Sequence, residues 1–213
     1  MYRLQRTLLT AFYIVSVIAI YTVIAYVLVH MLHSGFFVIA VSSIIYLLLA
    51  VLFGSFMTVI SYIPSNLAGA FDPVKNDIAN RRIETTKDFS DRLVGFLNGF
   101  FDFAFLDVEH SLVKIGEETP SMSFPADDTN WKEMGDRMRN AREVLYIGKN
   151  TVGSRNLHCY LVPIRFGEQW LGFFAVYTKS RLWKIFVDLL AEFENSFIDD
   201  QLMHVIDYQD SKK

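Results

Sequence analysis

The chain has 213 residues, enough for one ordinary domain and an additional element. Hydrophobic residues make up 52% of it and its mean hydropathy is +0.28; the apolar excess lies before Pro64, which excludes a wholly water-soluble protein. The net charge of -3 divides into +2 before Pro64 and -5 after it, and an acidic hydrophilic part argues against nucleic acid as a partner, because phosphate binding needs a basic face.

Residues 7–32, "TLLTAFYIVSVIAIYTVIAYVLVHML", contain no charged residue, and neither do residues 35–63, "GFFVIAVSSIIYLLLAVLFGSFMTVISYI". Each run exceeds the ~20 residues that cross a bilayer. Only a helix satisfies every backbone group there. The intervening "HSG" is expected to form a tight helical hairpin. The first run is too long for a signal peptide and lacks a small-x-small cleavage site before His33. Residues 1–63 are therefore predicted to be a transmembrane hairpin. Arg3 and Arg6 precede it, Lys75, Arg81, Arg82 and Lys87 follow it, and the turn has no cation. This pattern predicts an inner (cytoplasmic) membrane protein with two spans and both termini cytoplasmic. The one cysteine, Cys159, excludes an intrachain disulfide and fits a reducing compartment.

No Asp, Glu, Lys or Arg lies within the spans, so they are read as an anchor or assembly element rather than an ion pathway. His30 and His33 are read as polar residues of the outer rim. Ala50, Gly54 and Thr58 form a small-residue ridge that packs on the first span or on a partner.

Pro64-Ser65-Asn66 is predicted to stop the second helix. Gly69 and Pro73 then mark irregular chain in a juxtamembrane linker, residues 64–86. Arg81-Arg82 reads either as a headgroup contact or as a solvated face. From Phe89, apolar residues at Leu93, Phe96, Leu97 and Phe100 follow helical spacing. "FDFAFLDVEHSLVKI", from Phe101, alternates as a strand through Ala104, Leu106 and Val108. Residues 116–130 read as a loop. "WKEMGDRMRNAREVL" reads as an amphipathic helix with Trp131, Met134, Met138, Ala141 and Leu145 on one face. "YIGKNTVGSRN" reads as a second loop. Residues 156–166 and 170–178 are predicted strands joined by "GEQ". A last helix is expected from Ser180 to about Ile206, before a tail at 207–213. The fold class is α+β, a transmembrane hairpin followed by an antiparallel sheet with flanking helices.

The stretch "CYLVPIRFGEQWLGFFAVYTKSR" and the helix after it resemble a GAF domain. The carriers are Leu161-Val162-Pro163-Ile164, the turn Gly167-Glu168-Gln169, and Gly172-Phe173-Phe174-Ala175-Val176-Tyr177. The likeness covers residues 87–206. PAS domains share the sheet, but a helix before the first strand and a long helix directly after the hairpin suit GAF better. The resemblance implies a sensor or regulatory module. Such modules hold small ligands, often cyclic nucleotides, and dimerise through flanking helices. No enzymatic output unit is expected in the seven residues after Ile206. A signal is then expected to pass to the hairpin, to a second copy (a homo-oligomer), or to another subunit of a membrane complex.

No catalytic or metal-binding residue is expected, and no cofactor beyond such a ligand. The histidines are scattered, and no phosphate loop, Cys/His cluster or nucleophile elbow is present. Asp200 and His204 form an i, i+4 pair without the further ligands a metal needs. Asp127-Asp128 reads as turn chemistry, and Cys159 as a small buried apolar residue. The candidate ligand residues are Trp131, Arg139, Arg142, Arg155 and His158. Arg142 is expected near the apolar stripe of its helix, where a guanidinium needs an anion or a route to water. In a GAF-like fold that helix borders the pocket. Arg139 or Arg142 would then grip a phosphate while Trp131 stacks a base. Otherwise Arg142 pairs with a carboxylate or caps the helix. Two roles remain, a membrane-anchored, non-enzymatic sensor and an assembly subunit that binds no ligand. An enclosed polar pocket near Trp131, Arg139 and Arg142 would favour the first. A space filled by Phe and Met would favour the second.

Overall fold

The computed structural model describes residues 2–31, 35–101, 106–125 and 130–212. The expected turn at His33, the alternation at Ala104 and the pair Asp127-Asp128 lie outside those residues. The chain divides into two compact units, Met1–Ile63 and Pro64–Lys213.

The first unit holds α1 (Tyr2–Tyr26), which continues as a π-helical turn at Val27–Met31, and the first part of α2 (Phe36–Ala79). Both helices are long and apolar enough to cross a membrane, over Tyr13–His30 and Phe36–Thr58. Many of their described side chains, Leu48 and Leu52 among them, are exposed, as lipid-facing residues would be. The helices pack antiparallel through hydroxyls. Tyr13 donates to the Ala50 carbonyl and Tyr46 donates to the Val17 carbonyl at 2.5 Å. Tyr21 and Ser43 share a bond of 3.1 Å. The small ridge faces α1 of the same chain. A Cβ on Gly54 would lie 3.1 Å from the Tyr13 ring.

The second unit is a five-stranded antiparallel sheet in the order β2-β1-β5-β4-β3, so the fold class is α+β. Its strands are β1 (Val108–Ile115), β2 (Ser121–Met122), β3 (Leu145–Val152), β4 (Arg155–Phe166) and β5 (Gln169–Thr178). The helices α3 (Thr86–Phe101), α4 (Trp131–Arg139), α5 (Lys184–Phe193) and α6 (Asp199–Ser211) flank it. A π-helical segment, Glu194–Ile198, joins α5 to α6. Alternation along the strands divides the core. Leu112, Cys159, Leu161, Phe173 and Tyr177 pack with Met134 and Met138 of α4. On the other face the Ser111 hydroxyl reaches the Val94 carbonyl of α3, and Phe174 meets Phe193 of α5.

Several expectations need correction. Pro64 does not stop the second helix, and residues 64–73 are not irregular, since α2 continues to Ala79. A proline inside a helix costs about 3 kcal/mol. Against the two prolines stand Leu67, Phe71 and Val74, all buried on one helical stripe, each contributing ~1.5–3 kcal/mol. Phe71 adds edge-on contacts to Phe96, Phe193 and Phe197, each worth ~0.5–1.5 kcal/mol. Burial outweighs the breakers. Arg81 and Arg82 follow the end of that helix, where Arg81 covers the Tyr208 ring and Arg82 pairs with Asp77.

The helix predicted over 131–145 ends at Arg139, and "YIGKNTVGSRN" is not a loop. Residues 145–152 are β3, hydrogen-bonded along β4 from Leu145↔Leu161 to Val152↔Arg155. Ala141 and Leu145 do pack on the Met134–Met138 cluster, but from the link and the strand. Their spacing mimicked a helical turn. Residues 116–130 also include a strand, β2, paired to β1 at Leu112↔Met122.

Candidate functional site

The residues singled out from the sequence fall in three places. Trp131 and Arg139 come together at opposite ends of α4, on a cleft of about 280 Å³ that Lys114, Gly135, Asp136 and Trp170 also line. Asn130 starts this helix. Its side chain accepts from the Glu133 N–H at 3.3 Å, satisfying one backbone donor of the helix start, and donates to the Glu133 carboxylate at 3.1 Å. That cap fixes Trp131 at the first position of α4. Arg139, in the last turn, lies with its guanidinium 5.6 Å from the Trp170 ring centre.

Lys114 comes from β1, two residues after Leu112 and so on the same face, toward α4. It is buried, it donates to the Gly116 carbonyl at 2.7 Å and to the Glu118 carbonyl, and its ammonium lies 5.4 Å from the Trp131 ring centre. Burial holds its pKa below the usual lysine range, against the opposing pull of Glu117 and Glu118. Trp170, at the start of β5, is half-buried. Its indole Nε1 is enclosed and has no hydrogen-bond partner. A buried donor in that state costs ~1–3 kcal/mol. The cleft thus joins two indole-bearing residues and three cations, Lys114, Lys132 and Arg139, with Asp136 and Glu117 also lining it.

Arg142 is not on the helix. It lies in the link after α4 and pairs with Glu168 of the β4–β5 turn at 2.8 Å, with both side chains more than 70% exposed. Such a pair fixes little, since exposed salt bridges are worth ~0–1 kcal/mol. Arg165 closes the same corner by donating to the Arg139 and Ala141 carbonyls.

Arg155 and His158 belong to a third place. Arg155 opens β4 and pairs with Glu109 at 2.6 Å, which also takes Lys179 at 2.7 Å. The Lys179 hydrogen bond, with Arg155 beside it, holds the Glu109 carboxyl below the usual range. His158 points to the sheet face opposite α4, by alternation with Cys159. Its Nδ1 lies 2.7 Å from the Tyr146 hydroxyl. Burial lowers its pKa, and Lys149 and Arg181 lower it further. The geometry therefore does not unite the five candidates in one pocket.

The space expected to be an enclosed polar pocket is filled. Met134, Met138, Phe173 and Tyr177 occupy the interface between α4 and the sheet, and the Tyr177 hydroxyl rests 3.8 Å from the Met134 sulfur. The cleft sits at its edge. Cys159 is buried in the same layer, which pushes its thiol up to about 12. Among the described residues no group of three His, Cys, Asp or Glu side chains is placed to hold a metal ion.

The sequence reading missed Lys114 and Trp170. The period-2 spacing from Leu112 marked Lys114 as facing a core, which is unusual for lysine. Nothing local marked Trp170, because β5 is shifted relative to β4 between Ile164 and Arg165.

No family model matches this chain, and no curated protein matches it. Among solved structures it is similar to ligand-binding domains of chemoreceptors. The domain of Campylobacter jejuni Tlp3 in complex with L-norvaline is 13% identical, with a TM-score of 0.37 over 57% of this chain and 53% of that one. The same sensory domain with isoleucine bound gives 13%, 0.37, 57% and 54%. The domain of the Pseudomonas aeruginosa PAO1 amino acid chemoreceptor PctC in complex with GABA is 16% identical, with a TM-score of 0.34 over 67% of each chain. The present chain spans about half the length of the Tlp3 domains. These TM-scores lie below what a shared fold requires, so the fold rests on the sheet described above.

Proposed function

We propose that this chain is a non-enzymatic sensor of the GAF/PAS kind, anchored in the inner membrane by two spans with both termini in the cytoplasm. Its edge cleft takes a small molecule that carries a carboxylate or phosphate on a flat or apolar body. Binding there biases a second copy or a neighbouring membrane subunit. The sheet order and the long hairpin before a C-terminal helix support the sensor kind. One observation carries the ligand: Trp131 and Trp170 line one cleft together with the cations Lys114, Lys132 and Arg139. An anion would accept from the Arg139 guanidinium and the Lys132 ammonium, while its body lies on an indole face. At about 280 Å³ the cleft suits a ligand near the small end of the usual range.

The test is ligand-induced thermal shift and tryptophan fluorescence on the full chain in detergent micelles. The panel contains amino acids, mononucleotides and cyclic dinucleotides. A hit should raise the Tm and change indole emission. Trp170→Phe and Arg139→Gln should each weaken it by about tenfold or more, through a smaller ring face in the first and loss of a charge-assisted bond in the second. A hit untouched by both variants would place binding elsewhere.

A second reading has its own support. The packed Met and Phe layer beneath α4 fits a module that presents a surface to another protein and holds no ligand. Silence across the panel, with a stable complex recovered from membranes, would favour it.

A further inference from the structure

The start of α5 is unusually apolar for a surface. Trp183 is 63% exposed and Ile185 46%. Arg181 and Lys184 beside them are also exposed. Lys179 is already engaged by Asp107 and Glu109, and the nearest acid on α5 is Asp188, one turn on. Arg181 rests against the exposed Tyr146 ring, 5.3 Å from its centre. An indole, an isoleucine and two cations on one short segment match the boundary between lipid headgroups and acyl chains.

The position of this segment within the second unit agrees. Phe71 of α2 meets both Phe193 and Phe197. Lys75 covers Phe197. Residues Lys75 to Arg81 line a groove with Gln201, His204 and Tyr208. The tail of α2 and the α5–α6 run are therefore parallel. Lys184 precedes Phe193 by nine residues, about 14 Å of helix. Pro64 precedes Phe71 by seven, about 11 Å. The start of α5 thus lies toward the end of the unit at which the chain enters at Pro64, directly after its apolar span.

We propose that residues 181–185 seat on the anionic surface of the bilayer, Trp183 and Ile185 entering the headgroup layer while Arg181 and Lys184 hold lipid phosphates. This rests on the membrane-anchored reading and adds a second, reversible contact to it.

The test uses the full chain reconstituted in phosphatidylglycerol-containing vesicles or in pure phosphatidylcholine vesicles. Acyl-chain bromolipid serves as the quencher, and flotation serves as the check on anchoring. Part of the tryptophan emission should be quenched in the anionic vesicles, and that part should vanish in Trp183→Phe. Arg181→Gln and Lys184→Gln should each lower the ratio of seated to free domain about fivefold, the effect of one cation near an anionic surface. Quenching that is equal in the native chain and Trp183→Phe, with both floating, overturns the proposal and leaves anchoring intact. Quenching equal in the two vesicle types removes the role of the anionic lipid. A chain that does not float overturns the anchored reading and this one together.

Discussion

At the scale of single residues, Gly172 shows why the hairpin motif reads as it does. A Cβ there would lie 2.1 Å from the Lys114 carbonyl oxygen, where β5 runs against β1. Gly172→Ala must push two central strands apart, and we expect a loss of ~3 kcal/mol or more, read by urea unfolding in micelles. An alanine variant of native stability would contradict this packing. Glu194 gives a pH prediction. Burial raises its carboxyl from the ordinary 4.5 to about 7, against the Arg165 N–H that donates to it. The folded state then binds this proton more tightly than the unfolded state. The contribution to stability is full below pH 4.5, declines as pH rises to about 7, and is flat above. Glu194→Gln keeps an acceptor for Arg165 and cannot ionise. Its Tm should exceed that of the native chain at pH 8 and converge with it near pH 4. Parallel curves would show that Glu194 does not titrate in this window. The candidate residues were legible only in part. Trp131 and Arg139 share a cleft because an eight-residue offset brings both ends of a short helix to one side. Arg142 does not join them, because the helix ends before it.

At the scale of elements, periodicity served well where one local pattern had one partner. The hairpin of β4 and β5 and the helix from Phe89 fall close to where alternation and helical spacing put them. It failed where a long-range partner decided the outcome. Residues 145–152 become a strand because β4 supplies the opposing hydrogen bonds. The legible clue was Gly153-Ser154, a two-residue turn between Val152 and Arg155 with Gly153 at φ 58°, a conformation glycine adopts without strain. The reading of Pro64 failed likewise, since a breaker is local and the Phe71 cluster is not. Phe71→Ala should therefore cost ~3–5 kcal/mol, measured by denaturant unfolding in micelles. A cost below 1 kcal/mol would mean that the tail of α2 does not depend on the aromatic cluster. In the first unit, Gly54→Leu should force α1 from α2, because even a Cβ comes within 3.1 Å of Tyr13. A disulfide between cysteines placed at Tyr21 and Ser43 should then form less completely than in the native background. Equal yields would mean the helices do not meet at Gly54.

At the scale of the whole molecule, two uncharged spans and cations on both flanks predict that the two ends of the chain lie on one side of the bilayer. Tags at the N-terminus and the C-terminus should be cleaved together in inverted vesicles and spared together in right-side-out ones. Opposite behaviour of the two tags would reduce the hairpin to one span. The hydroxyl bonds of the first unit bear on how such a hairpin can move. Tyr13 of α1 reaches back to Ala50 of α2, and Tyr46 of α2 reaches back to Val17 of α1. The bonds act as two opposed bolts. In hydrocarbon no water waits to replace a broken one. Sliding one rod along the other, piston fashion, would strand both phenols at once. Tilting or rotating the pair as a single body strands neither, and that is the stroke left for any message that crosses this anchor.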